Sequence, residues 1–416
     1  MMLSPHVAIS GAGPAGLLMA ILLSQAGVLV TVLEKSLVAD PWTSKSYSIN
    51  LNDRGLSALD HAGVLHQIQA VGMARHRVIL ELPNGQQQII PRNPPNYSLT
   101  RPALVECLES ILVAQAERVT IQRGVGVTNV VVCADQQQQL QVTLDNGSTL
   151  SCTHLIGADG KWSAVRNSFV DWREQFTVQA EPAFGIAMTP QKSPPRWAKD
   201  ATTVFRAPQG AKYYILASPL PNNQYSISAI CYDQVRQDHP WCLPREDQVA
   251  NLESWEAEYG QDDDGNTETT GDDDHQKFVD QLGAMLQQEL PLFFKDINGL
   301  ETVSTARSHR RTSWLKPLVD QPQYCDSSGR VALIGDAAHA MTPAIGEGCN
   351  CALESAVSLK ELIVAKQKEQ QPLTVDDLTE AFREYGSKRP AEVMPIQAKS
   401  AENNRYKVPE ASSSRK

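Results

Sequence analysis

The sequence predicts an α/β fold: a parallel sheet built from strand–helix–strand units, with an antiparallel sheet inserted into it. Three observations carry that prediction. The first 35 residues alternate strand, glycine turn, helix and strand. Two later apolar runs, His154-Leu155-Ile156 and Val331-Ala332-Leu333-Ile334, lead into the acid–glycine motifs Gly157-Ala158-Asp159-Gly160 and Gly335-Asp336. Between them, from Glu181 to Val303, the pattern changes to the turn-separated runs of antiparallel strands.

Taken in order, His6 to Ser10 is a strand that stops at Gly11, Leu17 to Ala26 is a helix closed by Gly27, and Val28 to Leu33 is a second strand ending at Glu34. Such a unit places its strands side by side and parallel, because the helix must cross over between them. Val78 to Leu82, the turn Pro83-Asn84-Gly85 and Gln88 to Ile90 read as a hairpin, with Asn-Gly supplying positive φ. A helix follows from Arg101 through Ala116. Strands resume at Val127–Cys133 and Leu140–Leu144, and a second hairpin turn lies at Asn146-Gly147. Tyr213 to Leu216 and Tyr225 to Ile230 are strands of the insertion. After the strand at Val331, the positions Cys349, Ala352, Leu353, Ala356, Leu359 and Ile363 form one stripe of a long amphipathic helix. The residues from Lys407 to Lys416 are polar, Ser-rich and expected to fray.

Composition narrows the function. The chain has 416 residues, 42% of them hydrophobic and 20% charged, which is ordinary for a packed protein of about two to three domains. Its formal charge is −10, but seven acids fall between Gly260 and His275, where there is no Lys or Arg. Charges that dense repel one another, so residues 260–275 are expected to form a solvated insertion loop. The sequence Asp262-Asp263-Asp264-Gly265 lacks the spacing of a calcium loop, and no metal is expected. The rest is nearly balanced, without the basic footprint of a nucleic-acid binder. No apolar run reaches the roughly 18 residues of a membrane span. The eight cysteines are scattered and never spaced as CxxC, which suits a reducing compartment. With an N-terminus lacking the blocks of a secretory signal, the expected setting is the cytoplasm, with an organelle matrix as the alternative.

Three motifs carry chemistry. In Gly11-Ala12-Gly13-Pro14-Ala15-Gly16, Gly11 permits a tight turn, Gly13 lets backbone approach a pyrophosphate, and Gly16 allows close helix–strand packing. Glu34, ending the second strand, can accept hydrogen bonds from a ribose hydroxyl and disfavours a 2′-phosphate. FAD or NAD therefore fits here better than NADP. The second motif is Asp159-Gly160. In the third, a buried strand delivers Asp336, Pro343 enforces an extended segment, and Gly346 and Gly348 open the long helix. That helix start aims N–H groups at developing negative charge.

In this order and at these separations, the motifs resemble the single-component FAD-dependent aromatic hydroxylases of the p-hydroxybenzoate hydroxylase type. The resemblance is greatest to the kynurenine 3-monooxygenases, through Ser48-Ile49-Asn50-Leu51, Arg54-Gly55-Leu56-Ser57-Ala58-Leu59 and Gly348-Cys349-Asn350. It implies a Rossmann-like FAD-binding domain from residues 1–74, 101–180 and 304–385. An inserted antiparallel-sheet substrate domain would comprise 75–100 and 181–303, and a short C-terminal helix and tail 386–416, with no transmembrane anchor. It further implies that Gly11, Gly13, Ala15, Gly16, Glu34, Lys35, Arg101, Asp159, Gly160, Gly335, Asp336, Pro343, Gly348, Cys349 and Asn350 bind FAD. Cys349 and Asn350 would lie against the pyrimidine edge of the flavin. Pro343, Gly346 and Gly348 would shape the flavin site, and no side chain is assigned a catalytic role. The expected reaction uses NADPH or NADH and O₂, and transfers oxygen to a small aromatic substrate through a flavin 4a-hydroperoxide. The family's carboxylate-binding arginine maps best to Arg77, with Arg75 as the fallback, and Arg92 stands where the kynurenine enzymes have a substrate-contacting tyrosine. The expected assembly is a monomer or homodimer. Alternatives are a related flavin epoxidase or hydroxylase of an isoprenoid or polycyclic substrate, and a non-hydroxylating flavin oxidoreductase.

Overall fold

The computed structural model describes residues 4–38, 48–132, 139–189, 194, 196–208, 211–239, 241, 272–368 and 371–403. Its strands are β1 (His6–Ser10), β2 (Leu29–Glu34), β3 (Ser48–Leu51), β4 (Met73–Glu81), β5 (Gln87–Thr100), β6 (Val119–Arg123), β7 (Val127–Val132) and β8 (Leu140–Leu144). They continue with β9 (Thr149–Cys152), β10 (His154–Gly157), β11 (Phe176–Met188), β12 (Ala201–Arg206), β13 (Tyr213–Leu220), β14 (Gln224–Tyr232), β15 (Arg307–Pro317) and β16 (Val331–Leu333). The α-helices are α1 (Pro14–Gln25), α2 (Asp53–His61), α3 (Leu65–Val71), α4 (Arg101–Val113), α5 (Ala164–Asn167) and α6 (Val170–Gln175). Beyond the insertion come α7 (Asp272–Glu289), α8 (Pro291–Asp296), α9 (Leu300–Val303), α10 (Asp336–His339), α11 (Gly348–Lys366) and α12 (Val375–Asn403).

Five strands form a parallel sheet in the order β16-β10-β1-β2-β6. The chain leaves β1 toward β2 on one side, while β10 lies on the other, so the strand order reverses at β1. That reversal opens a crevice outside the carboxyl ends of the strands, where α/β sheets bind ligands. Helix α1 packs into this layer with Ala15 through Ser24 all buried, which explains its nearly unbroken apolar sequence. A small antiparallel sheet, β7-β8-β9, shares the same core through Val127, Val130, Leu140, Val142 and Leu144.

The second large sheet has eight strands in the order β15-β11-β14-β13-β12-β4-β5-β3. It is antiparallel except where β12 runs parallel to β4, the join between the hairpin and the insertion. Helices α7, α8 and α9 cover one face, and Phe205, Ile215, Ile227, Leu282, Leu286 and Phe293 form a separate core there.

The expected boundaries move in four places. β3 and β15, assigned by sequence to the parallel-sheet unit, are the two edge strands of the eight-stranded sheet, and β11 begins at Phe176 rather than after residue 180. Periodicity reports that a strand is half-buried, not which sheet it joins. The final boundary at residue 386 falls inside α12, which continues through Pro390 and Pro395. Pro390 has no N–H to give to the Gly386 carbonyl, and Tyr324 N donates to that oxygen instead, at 3.0 Å. Of the acidic stretch 260–275, residues 272–275 are already helical, and 260–271 lie outside the described residues. The tail from residue 407 also lies outside them. Among the described residues, no helix is long and apolar enough to cross a membrane, and no group of three or more His, Cys, Asp or Glu could hold a metal ion.

One ion triad fastens the insertion to the hairpin. Glu81 is buried on β4 and accepts from Arg196 Nη1 at 3.0 Å and Nη2 at 2.7 Å, while Arg196 Nε lies 2.5 Å from Asp296 on α8. Arg196→Met would leave the buried Glu81 carboxylate without its counter-ion, with Gln87 Nε2 at 2.8 Å as its remaining side-chain donor. Removing one partner of a fully buried pair costs 3–5 kcal/mol, and the water contact of Arg196 reduces the expected loss to about 2–3 kcal/mol. Urea unfolding midpoints measure this loss, and a change below about 0.5 kcal/mol would show that the triad is not a stabilising contact.

Candidate functional site

The three sequence motifs meet in the crevice, each at the carboxyl end of its strand: Gly11 after β1, Asp159 after β10 and Asp336 after β16. Adjacent parallel strands bring the first two motifs together. At Gly11, with φ +105°, a Cβ would stand 2.5 Å from the Ala158 carbonyl oxygen, and a Cβ on Gly16 would stand 2.1 Å from the Gly11 oxygen. Both positions therefore require glycine for close approach. Gly13 is different: a Cβ there would meet nothing nearer than Arg101 Nη2, at 3.7 Å. The space above the first turn of α1 is open, with the Arg101 guanidinium overhanging it.

Arg101 reaches this place because Thr100 caps α4, its hydroxyl accepting from Ala103 N at 3.1 Å, and Pro102 stands in the first turn. Glu34 accepts from Ala12 N at 2.7 Å and from Ser36 N at 3.0 Å, so it closes the glycine turn. Each carboxylate oxygen keeps a second lone pair for a ligand hydroxyl. Lys35 follows it in an exposed position, and Ala15 is buried beneath Gly335.

Asp159 accepts from Val165 N at 3.1 Å through Oδ2, while its Oδ1 is buried and has no hydrogen-bond partner. Burial raises this carboxyl above the usual carboxylate range, opposed by Ser163, Val165 N and Arg166. Gly160 adopts φ +83° beside it. Arg166, to which the sequence analysis gives no role, is buried and donates to Ala337 O at 2.8 Å and Lys161 O at 2.7 Å, tying the second motif to the third.

Asp336 lies in a narrow place. Protein crowds around it and raises its carboxyl, opposed by Lys161 and Arg101, yet solvent still reaches the side chain in the open crevice. A group bound in the crevice would meet that carboxylate directly. Pro343 is exposed and opens the short turn Pro343–Ile345, which ends at the left-handed Gly346 (φ +67°) before α11 begins at Gly348. Cys349 packs near Asp336 and Arg101, and burial pushes its thiol up to about 12, so it is not a nucleophile at neutral pH.

Asn350 departs from expectation. Its side chain is buried, accepting from Asn52 N at 3.1 Å and donating to Asn50 O at 2.9 Å and Gly346 O at 2.8 Å. The amide fastens the start of α11 to β3 and α2. His339 is also structural: burial, with Arg389 nearby, pushes its imidazole down to about 3, and its Nε2 lies 2.8 Å from Ser355 Oγ.

The three arginines separate. Arg77 is partly exposed and engaged by Asp200, Nη2 to Oδ1 at 2.8 Å. Arg75 is only 5% exposed, donates Nη1 to Thr202 Oγ1, and leaves Nε and Nη2 buried without partners. Burial, with the like charge of Arg92, pushes its guanidinium down to about 10, so it stays cationic at neutral pH. Arg92 is exposed on the stretch of β5 that bulges between the pairs Arg75–Asn96 and Arg77–Pro91. That bulge, invisible to a period-two pattern, gives the two arginines different surroundings.

A sequence-family model described as FAD binding domain matches residues 5–264 and 298–391. The kynurenine 3-monooxygenase of Dictyostelium discoideum is 24% identical over 416 residues, covering 97% of this chain and 80% of that protein. That of Xanthomonas euvesicatoria pv. vesicatoria (strain 85-10) is 26% identical, covering 94% and 77%. Among solved structures, the tetrameric form of 2-methyl-3-hydroxypyridine-5-carboxylic acid oxygenase shares the fold with a TM-score of 0.66 at 21% identity, covering 96% of this chain and 90% of that one. Klebsiella pneumoniae HpxO complexed with FAD and uric acid gives 0.67 at 21%, covering 96% and 88%.

The crevice suits FAD. The space over Gly13 would admit a pyrophosphate beneath Arg101, and the solvent-reached Asp336 could accept a hydrogen bond from a ligand hydroxyl. The glycines make this testable. Gly13→Ala, with φ −76° and open space, should leave the apoprotein's stability within about 0.5 kcal/mol while weakening FAD binding about tenfold or more. Gly16→Ala should instead lower stability, because its Cβ collides with backbone. Thermal unfolding of apoprotein and FAD titration separate the two effects; equal behaviour of both variants would contradict the assignment.

Proposed function

Because the chain belongs to the FAD binding domain family and FAD is its cofactor, we propose that it is a monooxygenase that hydroxylates a small aromatic carboxylate resembling kynurenine. The overall reaction consumes one aromatic C–H, O₂, NAD(P)H and a proton, and yields the phenol, water and NAD(P)⁺. The observation that carries the substrate class is Arg75, a buried guanidinium with two unpartnered nitrogens and no carboxylate partner among the described residues. Burying a cation without a counter-ion is costly, and a ligand carboxylate accepting from both free nitrogens offsets that cost. FAD, when bound, would supply the redox chemistry, hydride acceptance from the nicotinamide and activation of O₂.

The side chains bind and position. β5 runs from Asn96, the partner of Arg75, to Thr100 and then directly into Arg101. At about 3.4 Å per residue, four steps along this strand cover roughly 14 Å, the scale of an aromatic substrate with its side chain next to a flavin ring. The carboxylate would rest on Arg75 and Thr202, with Arg92 adding positive potential at the entrance. Backbone N–H groups at the start of α11 favour negative charge at the ring.

Arg77, favoured by the sequence, is the weaker candidate because Asp200 already neutralises it, and Arg77 in turn holds the Asp200 carboxyl below its usual range. Arg75→Met should raise the apparent KM for the aromatic acid about 30-fold or more, the size of a lost charge-assisted hydrogen bond in a buried site, with bound FAD unchanged. Arg77→Met should change it less than about threefold. The readout is NAD(P)H oxidation with kynurenine, salicylate and hydroxybenzoates, coupled to detection of the hydroxylated product. The reverse order of the two variants would move the carboxylate to Arg77. Turnover of an uncharged polycycle, but of none of these acids, would sink the proposal.

A further inference from the structure

The start of α11 carries a charge that opposes its expected role. Glu347 is the N-cap residue of α11, yet its carboxylate makes no capping bond to the helix. An acid there would cancel the partial positive charge of the helix end, which amounts to roughly half a unit. Instead, Oε1 accepts from Asn52 Nδ2 at 2.8 Å, and Oε2 lies 3.3 Å from Arg54 Nε on α2, an ion pair without a hydrogen bond. Arg54 Nη1 donates to both oxygens of Glu354 at 2.7 Å. Glu354 also accepts from Arg389 Nη2 on α12 at 2.6 Å, and Arg389 Nη1 reaches Glu392 at 2.7 Å. The charges therefore alternate from the crevice to the surface: Glu347, Arg54, Glu354, Arg389, Glu392. Arg389 is buried between its two acids, so the row is fixed by packing at that point.

We propose that this row sets the electron affinity of the bound flavin, with Arg54 the positioning residue that draws the Glu347 carboxylate aside and neutralises it. The inference rests on the reading that the flavin ring lies at the start of α11. Reduced flavin bears a negative charge that the oxidised form lacks, so an uncompensated carboxylate at this helix end weakens the binding of the reduced form alone. With Arg54 in place, Glu347 adds a dipole rather than a bare charge, and the N–H groups of Gly348 and Cys349 keep their effect. Two helices, α2 and α12, are thereby coupled to the redox state of a cofactor that their charged side chains need not touch.

The test is the two-electron reduction potential of the FAD-loaded protein, with FAD affinity measured alongside it. Glu347→Gln keeps the acceptor for Asn52 and removes the charge, and should favour reduced over oxidised FAD by about threefold to tenfold, up to about 30 mV more positive. Arg54→Met should move the ratio a similar amount in the opposite direction. Arg54→Lys should restore most of it, and the double variant Arg54→Met/Glu347→Gln should return to the wild-type value or above. A loosened structure alone would not give opposite signs or this rescue. Gly348→Met checks the location separately: its side chain enters space where a Cβ meets only Met341, at 3.7 Å, and should weaken FAD binding about tenfold or more. If Gly348→Met loses FAD while the charge variants leave the potential unmoved, the role of the row is overturned and the flavin position stands. If Gly348→Met binds FAD like the wild type, the position itself is overturned.

Discussion

Everything in the crevice depends on backbone meeting backbone at the carboxyl ends of neighbouring parallel strands. The Gly11 turn rests on the Ala158 carbonyl, Gly16 rests on Gly11, and Gly335 lies against Ala15 and Ala352. These contacts leave no room for a side chain at the first two positions. They bring Asp159, Asp336 and Arg101 around one opening, although 235 positions separate Arg101 from Asp336 in the chain. A methyl group between these layers would push them apart by an ångström or more, and the acceptors would no longer share a ligand.

That convergence creates an electrostatic problem, which the surrounding cations moderate. Crowding raises the carboxyls of both Asp159 and Asp336, and a buried acid without partners tends to take up a proton. Arg166 opposes the shift at Asp159, while Arg101 and Lys161 oppose it at Asp336. Arg166 also spends its donors on the Ala337 and Lys161 carbonyls, so one buried guanidinium fixes two loops as well as balancing charge. Asp336 stays open to solvent as an acceptor, with Arg101 and Lys161 balancing its charge.

How much of this could be read from sequence depends on the kind of signal. Glycine spacing and strand-end acids were legible, because steric closeness and parallel crossover leave few alternative residue types. The parallel sheet, the hairpin with its turn at Gly85 and the long helix from Gly348 all follow that pattern. Sheet membership of β3 and β15 was not legible, since an edge strand shows the same alternation in either sheet. Nor was the fate of Asn350: an amide in a glycine-rich turn suggests a ligand contact, while three backbone bonds consume it. Arg75 and Arg77 lie two apart, so period-two reasoning gives them one face. The bulge at Arg92 breaks the register between them, sending Arg75 inward to Thr202 and leaving Arg77 to Asp200.

The eight-stranded sheet then has two unlike faces, and the difference bears on what it can receive. On β13 and β14 the helix-covered face is sealed by Ile215, Ala217, Ile227 and Ala229, all fully buried. The alternate residues Tyr214, Leu216, Ser218, Ser228 and Ile230 are only half-buried, with no helix of the α7–α9 layer over them. Aliphatic and aromatic side chains line the middle of that face, while the hydroxyls of Ser218 and Thr202, 3.3 Å apart, cluster where Arg75 arrives. A purely apolar ligand would leave Arg75 Nε and Nη2 without partners, which in a buried place costs more than an apolar contact returns. The proposed substrate, a ring with a carboxylate at one end, would match both halves of the face. That asymmetry, and not the presence of an arginine alone, favours an aromatic acid over an isoprenoid or polycyclic hydrocarbon.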